Sequence, residues 1–222
     1  LKITTKYRID DNSEEVDQEV EKALADALTG KFGESSFDVE KSQKVGPTFA
    51  RDIEISAIWS IVVGLLAIFF YIIARFRKWQ YGLGALLALI HDVLFVIGLF
   101  SLLWKVLPIN LEVDQAFIAA ILTVVGYSIN DTVVVFDRIR ESLNLHTKSP
   151  LKSTINDALN KTVSRTMITS VTTLLVILIL FIFGGETIRG FSFALLIGVL
   201  VGTYSSLFIA TPVVVDLDKS GR

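Results

Sequence analysis

Four ionisable side chains stand where a membrane-spanning sequence does not tolerate them without cause. Asp131 interrupts the apolar run Ala116 to Phe136, His91 and Asp92 interrupt Gly82 to Trp104, and Arg165 stands at the entrance to the uncharged run Thr166 to Gly185. An ionisable group inside a span costs about 2.5 to 3.5 kcal/mol on insertion scales, so each must face protein or water and is a functional candidate. Tyr127 and Ser128 lie one turn before Asp131 and set hydroxyls beside its carboxyl, with a route for hydrogen-bonded water, and Asn130 adjoins it. From Arg165 a polar stripe of Thr169, Thr172 and Thr173 runs along one side of the helix. Burial favours the neutral form of a carboxyl and a nearby guanidinium favours the charged form, so a modest rearrangement between Asp131 and Arg165 switches protonation. That is the chemistry of a proton relay, and one charge crossing 100 mV supplies about 2.3 kcal/mol to drive it. The plain alternative is a static Asp131 and Arg165 pair that staples two helices. His91 and Asp92 face the same choice, and because adjacent residues are about 100° apart on a helix, only one of them points at a given partner.

Composition removes other chemistries. The chain has 222 residues, 52% hydrophobic and 20% charged, which excludes a polar disordered chain and a nucleic-acid-coating protein. It has no Cys, hence no disulfide framework and no thiol nucleophile, and its two His lie in different segments, so no His-rich metal site and no cofactor is expected. Through Asp52 there are 8 basic and 12 acidic residues, against 13 and 11 beyond it, so an acidic soluble head precedes a weakly basic remainder.

The elements that must position these residues are spans. Ile55 to Ala74 is uncharged over twenty residues, enough to cross a hydrocarbon core of about 30 Å. Five spans are expected, over about 55–74, 82–104, 116–136, 166–185 and 191–215, within a transmembrane domain of 47–215 and before a tail of 216–222. Arg75, Arg77 and Lys78 in the first loop and Arg138, Arg140, Lys148, Lys152 and Lys161 in the third place both loops in the cytoplasm, leaving the head outside and the C-terminus inside. In the third loop, Ser149-Pro150 and the apolar stripe Leu151, Ile155, Ala158, Leu159 and Val163 predict a helix over 150–163 along the cytoplasmic interface or against a neighbouring subunit. The Gly198 to Gly202 pattern, and Gly84, Ala88, His91 and Gly98 near one face, predict close helix approach.

In the head, Leu1 to Asp10 alternates as a half-buried strand, Asn12 and Glu15 form a capping box, and Val16, Val20, Ala23, Leu24, Ala27 and Leu28 recur at helical spacing until Gly30. A weaker alternation surrounds Phe37 and Val39. Residues 1–46 thus read as part of an α+β domain that is too small to close a core alone. A folded head outside the membrane requires an earlier segment to export it, so a preceding span is expected.

The run Gly126-Tyr127-Ser128-Ile129-Asn130-Asp131-Thr132-Val133-Val134-Val135-Phe136-Asp137-Arg138-Ile139-Arg140-Glu141 resembles the signature of the SecF family, membrane subunits that work with SecD beside the bacterial SecYEG translocon. Val45-Gly46-Pro47, Ala88 to Val93, Arg165 to Ser170, Gly184-Gly185 and Gly190-Phe191-Ser192 support the resemblance from Val45 to the end of the chain. It implies a mainly α, polytopic fold of the RND superfamily, with six spans of which five are present, and a periplasmic α+β domain of which the head is the later part. It also implies a proton-motive-force-coupled component of protein export in the bacterial inner membrane, without covalent catalysis. SecD, separate or fused, is the implied partner, with SecYEG and, beyond it, YajC and YidC; the substrate is unfolded secreted polypeptide. By motif position Asp131 and Arg165 match the family's intramembrane carboxylate and arginine in proton transport. His91, Asp92, Tyr127, Ser128, Asn130 and Thr169 are supporting polar groups, and Asp137, Arg138, Arg140 and Glu141 form a cytoplasmic motif.

Two other functions share parts of this pattern. A small-molecule RND exporter would have the same scaffold and an intramembrane Asp, but the Asn130-Asp131-Thr132 and Asp137 to Glu141 runs and the lack of a large substrate-binding porter domain favour the SecF family. An intramembrane aspartyl protease needs paired carboxylates, and Asp92 and Asp131 occupy adjacent spans, but neither has the Tyr-Asp or Gly-x-Gly-Asp setting of such enzymes. A structural scaffold follows if Asp131 is only a staple.

Overall fold

The structure, a computed structural model, describes residues 14–32, 47–107, 109 and 111–218. These form α1 (Glu14–Phe32), α2 (Pro47–Phe76), α3 (Trp79–Leu103), α4 (Gln115–Leu145), α5 (Leu151–Phe183), α6 (Gly185–Ser205), a π-helical turn (Ser206–Ala210) and α7 (Thr211–Leu217). No strand occurs among the described residues, and both strands expected in the head lie outside them. The chain divides into two compact units, Leu1–Trp59 and Ser60–Arg222.

In the first unit, α1 covers Val16 fully and Val20, Leu24 and Leu28 in part, the i, i+4 ridge of an amphipathic helix, while Ala23 and Ala27 are exposed. The helix continues two residues past Gly30 to Phe32, so the expected glycine stop is not used. A glycine costs a helix only about 1 kcal/mol and does not by itself end one.

Five helical stretches are long and apolar enough to cross a membrane: Ile55–Phe76, Trp79–Leu103, Gln115–Leu145, Leu151–Phe183 and Ile188–Leu217. The chain is a multi-pass membrane protein. The interfacial helix expected over 150–163 and the span expected from 166 are one continuous helix, α5, because no Pro or Gly lies between Leu151 and Phe183 to break the ladder. The last span instead contains a break. Pro212 lacks an N–H and crowds the preceding turn, and the backbone widens into the π turn just ahead of it, with Thr211 Oγ1 donating to the Ser206 carbonyl at 3.3 Å. Between α5 and α6 only Gly184 intervenes: Gly185 takes a φ of 73°, open to glycine, and α6 starts there.

Small residues set the closest contacts. A Cβ at Gly198 would run into the Val124 side chain, one at Gly202 would lie 2.9 Å from the Ser128 Cβ, and one at Gly84 would lie 2.7 Å from the Ala210 carbonyl oxygen. These glycines let α6 seat on α4, and α3 on the end of the π turn. Gly202→Leu is therefore expected to destabilise the complete protein by about 1 to 3 kcal/mol through overpacking, read as a lower unfolding midpoint in detergent. Gly64→Ala, where a Cβ meets nothing within 4 Å, is expected to be neutral or to gain up to about 1 kcal/mol.

The basic turns are tied to one end of the bundle. Arg75 pairs with Asp137 at 3.0 Å, Lys78 pairs with Asp218 at 3.1 Å, and Arg140 donates to the Arg75 carbonyl at 3.3 Å, so the α2–α3 turn is held to the ends of α4 and α7. At the other end Asp114 caps α4 by accepting from the Phe117 N–H at 2.8 Å.

Two apolar clusters lie along this axis. One joins Ile72, Phe76, Tyr81, Phe136, Ile139, Leu151, Ile155 and Val214, near the tied turns. The other joins Val96, Phe100, Phe117, Ile121, Val124, Ile177, Leu195 and Val199, towards the opposite ends of the same helices. In sequence, Ser128, Asp131, Thr132, Ser170, Thr203, Ser205 and Ser206 fall between the two sets and Asp92 falls at the near edge of the second, between Leu89 and Val93; all are buried.

Candidate functional site

These residues form a polar layer between two apolar plugs. α3 contributes Asp92, which is fully buried and accepts from Ser128 Oγ of α4 at 2.6 Å and Ser205 Oγ of α6 at 2.8 Å, both on Oδ2. His91 lies at the rim of the layer, its Nδ1 3.2 Å from Asp92 Oδ1. The 100° between the two neighbours thus turns Asp92 inward onto the two serines and leaves His91 at the edge, where the imidazole meets its neighbour's other oxygen. Beside them, Thr132 Oγ1 and Ser206 Oγ share a hydrogen bond at 2.9 Å, and Ser206 also reaches the Gly202 carbonyl at 2.8 Å. Ser170 of α5 and Thr203 of α6 share one at 2.6 Å. Four helices are therefore joined by hydroxyls at one depth. In lipid such groups find no water, so mutual hydrogen bonding is the arrangement that removes the cost of burying them.

Asp131 differs from every other member of the layer. It is 5% exposed, and its Oδ2 is buried with no hydrogen-bond partner. Ser170 and Arg165 of α5 are its polar neighbours, but the Ser170 hydroxyl is bonded to Thr203. Among the described residues no ion pair joins Asp131 to Arg165; the arginine is exposed on α5, as is Thr169. Thr166 Oγ1, one turn before Ser170, is likewise buried and unpartnered. Nor do Asp92 and Asp131 share a hydrogen bond, as a protease dyad would. A native fold tolerates few such orphaned polar atoms, and each calls for a role.

The other sequence candidates fall outside this core. Tyr127 is half-buried and donates to Thr173 Oγ1 at 3.4 Å, while Asn130 faces outward. In the Asp137 to Glu141 motif, Arg138 and Glu141 pair on one face at 2.5 Å, Asp137 holds Arg75, and Arg140 caps α2. These are surface contacts, with the Arg75 and Asp137 side chains about two-fifths exposed (41% and 42%). Asp137→Asn is accordingly expected to change stability by less than about 1 kcal/mol, measured by unfolding of the complete protein in detergent. Thr132, Ser170, Thr203, Ser205 and Ser206 were not among the sequence candidates. Their signal was the cluster Thr203-Tyr204-Ser205-Ser206 deep inside an otherwise apolar run, and Ser170 one turn beyond Thr166.

The family described as "Protein export membrane protein SecD/SecF, C-terminal" matches residues 24–220. The chain is 55% identical over 199 residues to the protein translocase subunit SecF of Rhodothermus marinus, covering 90% of this chain and 64% of that protein. It is 40% identical over 210 residues to the protein translocase subunit SecDF of Brucella abortus biovar 1, covering 95% of this chain and 27% of that one. The crystal structure of SecDF in super-membrane-facing form superimposes with a TM-score of 0.72 at 38% identity, over 94% of this chain and 27% of the other. The chain thus spans less than two thirds of the length of these relatives.

Proposed function

The chain belongs to the SecD/SecF family, and on that premise we propose that it is the C-terminal membrane portion of a SecF subunit that couples proton movement to export of unfolded polypeptides. The observation that carries this reading is Asp131: a buried carboxyl whose Oδ2 no hydrogen bond occupies, set at mid-span between two apolar plugs. A carboxyl with one oxygen left open exchanges a proton there with little loss of hydrogen bonding, which a saturated one cannot do. Arg165, exposed on α5 near Asp131, is the cation whose approach would stabilise the carboxylate and whose retreat would favour the acid. The absence of a direct Asp131 to Arg165 ion pair favours this relay over a static staple.

SecD is the partner that would complete the exposed side of α5, where Arg165, Thr169 and Thr172 interrupt an otherwise apolar surface. Polar groups at membrane depth require protein or water against them. SecYEG, with YajC and YidC beyond it, is the assembly on which the subunit would act, from the inner membrane, with its basic turns in the cytoplasm. Domain limits of 1–46 for the periplasmic part and 47–215 for the membrane part belong to the same reading. No cofactor or covalent step is required.

The test is translocation into inverted inner-membrane vesicles carrying the complete protein with its SecD partner, with and without a protonophore. Stimulation that disappears both with the protonophore and on depletion of the subunit is the expected result. Stimulation that survives the protonophore while still requiring the subunit would reduce the chain to a scaffold.

A further inference from the structure

His91 and Asp92 have a hydrogen-bonding arrangement that Asp131 lacks. Every group around the Asp92 carboxyl has a place to go in either of two charge states. As a carboxylate, Asp92 accepts from Ser128 Oγ, Ser205 Oγ and His91 Nδ1 at 2.6, 2.8 and 3.2 Å. As an acid, it donates from Oδ1 to the same His91 nitrogen in its acceptor tautomer, and the Ser205 hydroxyl has a second acceptor, the Gly202 carbonyl, at 3.2 Å. No Lys or Arg pairs with Asp92 among the described residues. A carboxylate kept only to tie helices together is instead matched by a fixed cation or by backbone N–H groups. Exposure divides the pair: the Asp92 side chain is 0% exposed and the His91 side chain 35%, so the imidazole alone reaches the surface of the bundle.

We propose that His91 and Asp92 form a second proton-binding site, in which the imidazole carries protons between the bundle surface and the polar layer. A proton arriving at Nε2 makes the imidazolium, and the Nδ1 proton then passes to Asp92 Oδ1. This leaves a neutral imidazole protonated on Nε2 and a neutral acid; the reverse transfer restores the carboxylate. The groups facing the pair are few. Tyr204 of α6 and Phe95 of α3 lie with ring centroids 6.5 and 5.9 Å from the imidazole, and among the described residues the Tyr204 phenol is the other titratable group in contact with it. α4 presents Ser128 to the site, with Asp131 three residues further on. Because Ser128 and Asp131 share one helical turn, proton occupancy at Asp92 acts on the backbone that carries Asp131. The second site rests on the reading of the chain as proton-coupled and extends it from one carboxyl to two.

The test is pH-difference infrared spectroscopy of the complete protein with its SecD partner in membranes, following the carbonyl stretch of protonated carboxyls between about pH 5 and pH 8. Asp92→Asn is expected to remove one pH-dependent band and Asp131→Asn another. His91→Asn retains a donor near the Nδ1 position but no relay, and is expected to slow the Asp92 band's response to a pH jump by about tenfold or more. A spectrum unchanged by Asp92→Asn overturns the site, leaving Asp92 a fixed tie, and an unchanged rate in His91→Asn overturns the shuttle. Loss of titration at Asp131 alone would instead count against the relay, since the two bands are read separately.

Discussion

Asp131→Asn in the complete protein is expected to abolish the stimulation of export by the proton-motive force while leaving the amount of protein in the membrane unchanged. Asparagine has the shape of the acid but exchanges no proton, and Asp131 Oδ2 has no hydrogen bond to lose. The structural cost is therefore bounded by the burial of one amide, about 1 to 3 kcal/mol, against a unit in which the other seven polar residues of the layer and two apolar clusters remain intact. The functional cost is larger in consequence. Each proton crossing 100 mV contributes about 2.3 kcal/mol, a bias of roughly fiftyfold on any two-state motion it drives. A secretion assay with membrane levels checked by blotting decides the matter. Normal export at normal levels would return Asp131 to packing, and the scaffold reading would become the better account.

What the sequence made legible was governed by one energetic rule, that charge in lipid is expensive. Asp92, His91, Asp131 and Arg165 stood out because each is conspicuous in an apolar run, and two of the four, Asp92 and Asp131, are indeed buried at mid-span. The hydroxyls that complete the layer were hidden for the opposite reason. Ser and Thr bond to their own helix at little cost, as Thr162 does with the Ala158 carbonyl at 2.8 Å, so their presence in a span says little about which neighbour they will meet. Ser205 and Ser206 are adjacent in sequence, yet one reaches Asp92 and the other Thr132, a division set by the π turn that begins at Ser206.

Helix limits were legible where chemistry breaks the ladder and not elsewhere. The spans expected to end at 185 and resume at 191 left a gap that the structure does not have, because Gly185, free of Cβ, takes a φ of 73° without strain and opens α6 at once. The α2–α3 turn achieves a left-handed residue with Arg77 at a φ of 57°, a position no propensity rule points to, and the Arg75 and Lys78 pairings hold it there. The continuous α5 was missed because an amphipathic stripe and a uniformly apolar stretch look like two elements, although nothing between them stops a helix.

Removal of the two serines that hold Asp92 should expose how the polar layer is coupled. Ser128→Ala and Ser205→Ala each delete one donor to the same oxygen, at 2.6 and 2.8 Å, and each is expected to cost about 1.5 to 3 kcal/mol, the range for hydrogen bonds to an ionised partner. The double variant discriminates between two kinds of site. If Asp92 is a fixed anion, stripping both donors leaves a buried charge with only the His91 nitrogen, and the combined loss equals or exceeds the sum. If its proton occupancy is free to change, the loss is capped, and the double variant costs less than the sum by about 0.5 to 3 kcal/mol. Denaturation of the wild type, both single variants and the double variant in detergent closes this cycle. A sub-additive result, reversed to additivity when His91→Asn is added to all four proteins, would tie the cap to the imidazole; a super-additive result would mark Asp92 as a permanent charge and leave Asp131 as the layer's one exchangeable carboxyl.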